Sequence, residues 1–216
     1  MKRALLCILC LVSVLAIALS LGGCSDAKRF TGDWESSVDL TGYVNTLLAQ
    51  NVEETTLKAQ NFTVYLDVKF TEDGVYTYSV NTDKTAASLD ALSSDVQNGM
   101  VAYIESTLSA GGYSMTVDEF LAISGNTREN MTSEIIDTIG INGELKKISG
   151  SGKYEAEDGK LFVSRKKDIA PSETEYLTYE PDGEAIKLSS YTGAPETDDA
   201  LMKFLNGAFP QTLIKK

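Results

Sequence analysis

The sequence contains no histidine. That removes imidazole from any catalytic triad, from acid–base chemistry near neutral pH and from metal ligation. Cysteine is nearly absent too, with three residues at Cys7, Cys10 and Cys24. Beyond residue 24 there is neither a cysteine nucleophile nor a disulfide, so a folded domain there is held by its core alone. Zinc would have to rely on carboxylates only, which it rarely accepts. Positive charge is scarce: 19 Lys and Arg stand against 31 Asp and Glu, a net charge of −12. Nucleic-acid binding needs basic surface to displace counterions and is excluded. Arg29, Arg128 and Arg165 are too scattered along the chain to suggest a phosphate clamp. A carboxylate pair of the kind glycosidases use is compatible with the composition. However, Glu155, Glu157, Asp182 and Glu184 fall at turns or alternating strand positions, where solvated edge charges account for them. No catalytic residue, metal site or cofactor is assigned, and a non-enzymatic role is expected.

What is present starts with a leader. Lys2 and Arg3 precede an apolar run from Ala4 to Leu21, and Leu21-Gly22-Gly23-Cys24 follows. This resembles the bacterial lipobox, in which small residues before the cysteine let the signal peptidase close over the backbone. The resemblance implies a signal peptide over residues 1–23, cleavage before Cys24 and diacylation of the Cys24 thiol. Two or more acyl chains hold a protein at a membrane that one chain anchors only marginally. Cys7 and Cys10 leave with the signal. Removing Lys2 and Arg3 leaves 17 basic residues against 31 acidic ones, a charge of −14. An anionic bilayer repels such a body while the lipid holds it down. Residues 24–30 read as a polar tether; its last six residues, extended, reach roughly 20 Å at about 3.3–3.6 Å each. The expected location is the extracytoplasmic face of a bacterial, Gram-positive cell membrane.

The whole chain is 43% hydrophobic, enough for a packed core, and the remainder, 31–216, suits one domain with an insertion. Thr31–Leu40 reads as a strand. In Asn61–Phe70, Phe62, Val64, Leu66, Val68 and Phe70 alternate with Thr63, Tyr65, Asp67 and Lys69, a period-two pattern with one buried face. Asp73-Gly74 turns the chain into Val75–Val80, where Tyr76, Tyr78 and Val80 share a face. The same turn recurs at Asp158-Gly159 and Asp182-Gly183. None of these turns carries the alternating oxygen ligands of a calcium loop.

Between the first and second hairpins the period changes. Leu89, Leu92, Val96, Met100, Ile104 and Leu108 recur every three or four residues, which predicts a helix over about Thr85–Ser109. Thr116 to Glu119 reads as a capping box for a short helix. Asn126 is the expected cap of another helix carrying Met131, Ile135, Ile136 and Ile139, closed by Gly140 to Gly143. The helical insertion so defined covers about 83–143. Val38–Lys58 is ambiguous, with Tyr43, Leu47 and Leu48 suggesting a brief helix. Asp198–Leu205 reads as one or two helical turns, and Phe209–Lys216, with Pro210 at its start, reads as the strand that closes the chain.

About eight antiparallel strands result, and they either roll into a closed barrel or lie as an open sandwich. Gly32-Asp33-Trp34 stands at the start of the first strand. It resembles the Gly-x-Trp signature of lipocalins and related calycin barrels. In that family the Trp plugs one end of the barrel under a basic residue near the last strand. The resemblance gives Gly32 and Trp34 the barrel floor and leaves the basic role to Lys215 or Lys216, where the family more often has Arg. The insertion and the missing disulfides depart from the pattern. The chain looks more like the lipocalin-like lipoproteins of Gram-positive bacteria, which carry turns like Tyr154–Gly159. The expected architecture is therefore mainly β, a roughly eight-stranded antiparallel lipocalin-like barrel interrupted by a helical insertion. Phe62, Val64, Leu66, Val68, Tyr76, Tyr78, Tyr154 and Tyr179 are the candidate ligand-lining residues. They serve either a small apolar or amphipathic ligand, with the insertion as a lid, or a filled core. In the second case the protein is an interaction module whose insertion meets another envelope protein. A monomer is expected.

Overall fold

The computed structural model describes residues 26–52 and 57–216. The signal peptide and the lipidation expected at Cys24 lie outside the described residues. Among the described residues, no helix is long and apolar enough to cross a membrane.

Eight strands form one closed antiparallel barrel in sequence order. Strands β1 (Gly32–Asp39), β2 (Thr63–Phe70) and β3 (Val75–Val80) precede the insertion. Strands β4 (Ser149–Glu157), β5 (Lys160–Ser164), β6 (Tyr176–Asp182), β7 (Ala185–Thr192) and β8 (Gln211–Lys215) follow it. Closure comes from β8 pairing with β1, with Trp34 opposite Lys215 and Glu35 opposite Ile214. The closed wall has no free edge, which rules out the open sandwich. Alternation sets its inner face. Trp34, Ser36 and Val38 of β1 stand opposite Val68, Leu66 and Val64 of β2, and all but Val68 are buried.

Because neighbouring strands run in opposite directions, the connections sort to two ends. The short hairpins β2–β3, β4–β5 and β6–β7 share one end with the start of β1 and the close of β8. Every longer connection lies at the other end. These connections hold α1 (Thr41–Asn51), the insertion, the 165–175 loop and α6 (Ala200–Gly207). The insertion consists of α2 (Thr82–Ala110), α3 (Val117–Ile123), α4 (Arg128–Ile139) and α5 (Ile141–Lys147). The barrel thus has a floor of tight turns and a roof of helices.

The helices follow their caps and apolar stripes, with corrections. The side chain of Asn81 accepts from the Lys84 amide, which starts α2 three residues before the expected Thr85. Its stripe of Leu92, Val96, Met100, Ile104 and Leu108 is buried. Thr116 and Glu119 form the expected capping box. The cap of α4 is Thr127, whose hydroxyl accepts from the Asn130 amide at 3.2 Å; the Asn126 side chain accepts instead from Thr127 N. Gly140, at φ 66°, ends α4 but does not end the insertion. The chain re-enters a helix, α5, because Ile141 and Leu145 find buried positions. The ambiguous stretch after Val38 contains α1, whose Tyr43, Val44 and Leu48 are buried. The Tyr43 hydroxyl donates to Glu144 Oε2 at 2.9 Å, which ties α1 to α5.

The tether reading needs revision. Residues 26–30 are helical, and Phe30 is fully buried. Its ring lies 5.3 Å from that of Phe70 and 4.8 Å, edge-on, from that of Tyr179. Burying a phenylalanine stabilises by about 1.5–3 kcal/mol, and the apolar floor offers it that burial.

Candidate ligand-binding site

The floor is built from Trp34 outward. Trp34 is 2% exposed, and its indole N–H donates to the Phe30 carbonyl. Lys215 Nζ stands 5.5 Å from the centre of the indole ring, a cation–π contact. Of the two lysines considered from the sequence, Lys215 is thus the one over Trp34; Lys216 pairs with Asp67 instead. Gly32 adopts φ +128°, a conformation that an L side chain rarely tolerates. The Gly-x-Trp pattern therefore has a local cause, since glycine lets the strand enter the barrel at the angle that puts Trp34 inside. Phe70 and Tyr154 meet edge-on at 4.9 Å, and the Tyr154 hydroxyl donates to Thr71 O at 2.9 Å. The lower barrel is solid.

Above this floor lies a cavity of about 190 Å³. Its wall is mostly apolar, with Leu66, Val68, Leu161, Val163, Leu188 and Leu213 among its members. Tyr76 and Tyr78 line it from β3 with nearly parallel rings, their centres 6.4 Å apart. They stand opposite Gly152 and Gly150 of β4. A Cβ at Gly150 would lie 2.8 Å from the Tyr78 ring. At Gly152 it would lie 2.8 Å from the Tyr76 ring and 1.6 Å from the Ser164 carbonyl oxygen. Glycine at these two positions lets both rings lie across β4. Burial pushes the Tyr76 and Tyr78 hydroxyls above their usual range, so both remain neutral hydrogen-bonding groups.

The roof of the cavity is α6, through Met202, Leu205 and Asn206. This corrects the expectation that the insertion is the lid, because no residue between 83 and 143 lines the cavity. Helix α2 runs beside the barrel instead, held to β2 by Thr85 Oγ1 accepting from Tyr65 N at 3.2 Å. Its apolar stripe packs into a cluster with α1 and the roof end of β2. Leu201 of α6 is buried in that cluster as well, and the Phe204 ring lies 6.1 Å from that of Tyr43. One side of α6 therefore faces the helices and another faces the cavity.

Four of the eight candidate lining residues, Leu66, Val68, Tyr76 and Tyr78, come together in the cavity. The other four do not. Phe62 and Val64 pack into the helical cluster, and Tyr154 and Tyr179 into the floor. Sequence reasoning missed Ser36, Arg165 and Tyr191, which also line the cavity. Ser36 and Arg165 were within reach, since Ser36 lies two residues from Trp34 on β1 and Arg165 two residues from Val163, just past the end of β5. Tyr191 was not. The β6–β7 register shifts between Thr178 and Tyr179, so that Tyr179 faces Leu188 while Leu177 faces Tyr191. This bulge reverses the inward parity of β7. Ser36 is 3% exposed, and among the described residues its hydroxyl has no hydrogen-bond partner. At the mouth, Arg165 Nη2 donates to the Tyr191 hydroxyl at 3.2 Å, and that hydroxyl donates to Glu175. Burial, reinforced by Glu175, pushes the Tyr191 hydroxyl up to about 12.

Fold and site together define a closed, up-and-down eight-stranded barrel whose upper half holds a roofed apolar cavity. Compared with known proteins, the chain matches no family model, no curated protein and no solved structure.

Proposed function

We propose that this chain is a lipocalin-like, membrane-anchored extracytoplasmic lipoprotein that binds a small apolar or amphipathic ligand inside its barrel. The observation that carries the reading is the cavity of about 190 Å³ between the barrel wall and α6. Ligand sites are concave and mostly apolar, with a few placed polar groups, and this one adds Ser36, Arg165 and Tyr191 to an aliphatic wall. The lipocalin-like part is supported by Gly32 and Trp34 at the floor with Lys215 over the indole. The anchor at Cys24 is supported by Leu21-Gly22-Gly23-Cys24. The protein acts as a non-catalytic monomeric carrier held at the cell surface.

Native mass spectrometry of the full chain tests the binding reading, with Val68→Trp as the variant that fills the cavity. A small molecule retained by the wild type and absent from Val68→Trp is expected. A wild type that retains nothing and takes up no added heptan-1-ol overturns the reading.

A second reading makes the insertion the contact surface for another envelope protein. It is favoured by Tyr113, Phe120 and Ile123 of the insertion, which are 63%, 38% and 76% exposed. Cross-linking in cells that gives the same partners with and without Tyr113→Ser and Ile123→Ser would set it aside.

A further inference from the structure

Among the described residues, Arg165 is the one charged residue of the cavity wall. It directly follows Ser164, the last residue of β5, where the chain leaves the barrel for the 165–175 loop. Glu175 stands at the other end of that loop, immediately before β6. The Arg165 side chain is 41% exposed and that of Glu175 20%, so the pair sits at the mouth, between solvent and cavity. Arg165 Nε is 3.5 Å from Glu175 Oε1, and Tyr191 bridges the two through its hydroxyl. A guanidinium offers five donors, and a carboxylate that fits it well takes two short parallel bonds. Glu175 makes a single long approach, so the fork keeps donors that another anion can take.

Below the fork the wall is mostly apolar, with Tyr76, Tyr78, Gln211 and the buried Ser36 as its polar members and Asn206 in the roof. At roughly 30 Å³ for each water-sized group, the cavity of about 190 Å³ has room for about six such groups. The site thus combines a small apolar chamber with one cation at its entrance, and an internal carboxylate already rests on that cation.

We propose that the ligand is a short-chain anionic amphiphile, an alkyl carboxylate with about six carbons behind its head, whose carboxylate displaces Glu175 from Arg165. This rests on the barrel-cavity reading and adds the chemistry of the head, the length of the tail and the residue that selects them. Planarity favours a carboxylate, because the group to be replaced is itself a carboxylate held between Arg165 and Tyr191. The displacement also frees the far end of the 165–175 loop, so binding is coupled to the contact that closes the mouth.

Isothermal titration of the purified full chain with sodium heptanoate and with heptan-1-ol tests this. The wild type is expected to prefer heptanoate. Arg165→Gln is expected to lower the heptanoate-over-heptanol ratio about tenfold, and Glu175→Gln to raise heptanoate affinity several-fold because the competing anion is gone. If Arg165→Gln fails to fold, Arg165→Lys serves in its place. It keeps the charge without the fork and is expected to lose several-fold of the same ratio. Equal affinity for the two probes in the wild type overturns the proposal while leaving a general apolar carrier intact. Weaker heptanoate binding by Glu175→Gln also overturns it, because Glu175 would then be positioning Arg165 rather than competing for it. Binding of neither probe to any of these proteins removes the carrier reading as well.

Discussion

Replacing Trp34 by alanine opens the barrel floor, and its cost follows from the contacts. The side chain is 2% exposed, and truncating a buried Trp or Phe to Ala typically costs about 3–5 kcal/mol. The indole N–H also satisfies the Phe30 carbonyl, and leaving that oxygen unpaired adds about 1 kcal/mol. The cation–π contact with Lys215 is worth about 0.5–1 kcal/mol at an exposed site. Trp34→Ala is therefore expected to lose about 5 kcal/mol, against the 5–15 kcal/mol by which domains are ordinarily stable. Trp34→Phe keeps most of the apolar volume and loses the donor, so about 2 kcal/mol is expected. The order wild type, Phe, Ala is as informative as the size. Urea unfolding followed by far-ultraviolet circular dichroism is the assay, since the chain has a single tryptophan and its fluorescence disappears with the substitution. An alanine variant within about 1 kcal/mol of the wild type would refute the argument that Trp34, Phe30 and Lys215 form one packed floor.

Gly152→Ala is expected to destabilise by more than 3 kcal/mol or to abolish folding, because its Cβ would fall 1.6 Å from the Ser164 carbonyl oxygen; thermal melts compare it with the wild type. Lys216 and Asn81 hold the Asp67 carboxyl below the usual range, so its contribution is present above the unfolded value of about 3.9 and lost as pH falls through the folded value. The pair is well exposed, at 39% and 43%. Asp67→Asn should therefore cost about 0.5 kcal/mol at pH 7, with the gap to wild type closing in acid urea titrations below the folded value. Cys24→Ser is expected to abolish incorporation of radiolabelled palmitate and to release the protein from the membrane fraction; continued labelling would place the acylation elsewhere.

Most of the barrel was legible because its signals are local. Phe62 to Phe70 alternate within a single strand, and each Asp-Gly turn states its hairpin in two residues. The floor was legible for a related reason: Gly32, fixed by its φ of +128°, and Trp34 lie two residues apart. The cavity was only half legible. Period two identified the inward face of β2 but not how far up the barrel that face stays open. Phe62 and Val64 share that face with Leu66 and Val68, yet they are covered by helices joined to the strand through long connections. Depth along a barrel is a tertiary property that alternation does not encode. The same limit hid the true lid. The insertion is long and periodic, so it drew the role, whereas α6 is eight residues long and reads as a turn or two.

The division between floor and roof also explains why the cavity falls where it does. In a meander closed on itself, tight hairpins at one end pull the wall together, and aromatic side chains fill the narrow space they leave. Phe30, Trp34, Phe70, Tyr154 and Tyr179 do so here. Long connections at the other end hold the strands apart and supply covers that are not part of the ladder. Helix α6 is such a cover. It is joined to β7 and β8 through 193–199 and 208–210, and it reaches the helical cluster through Leu201. Opening the cavity then requires breaking side-chain contacts of α6 or the Arg165–Glu175–Tyr191 clasp, but no strand pairing. Local openings are drawn from the least cooperative parts of a structure. A barrel that opens at its roof therefore keeps its wall and its tryptophan floor intact while doing so.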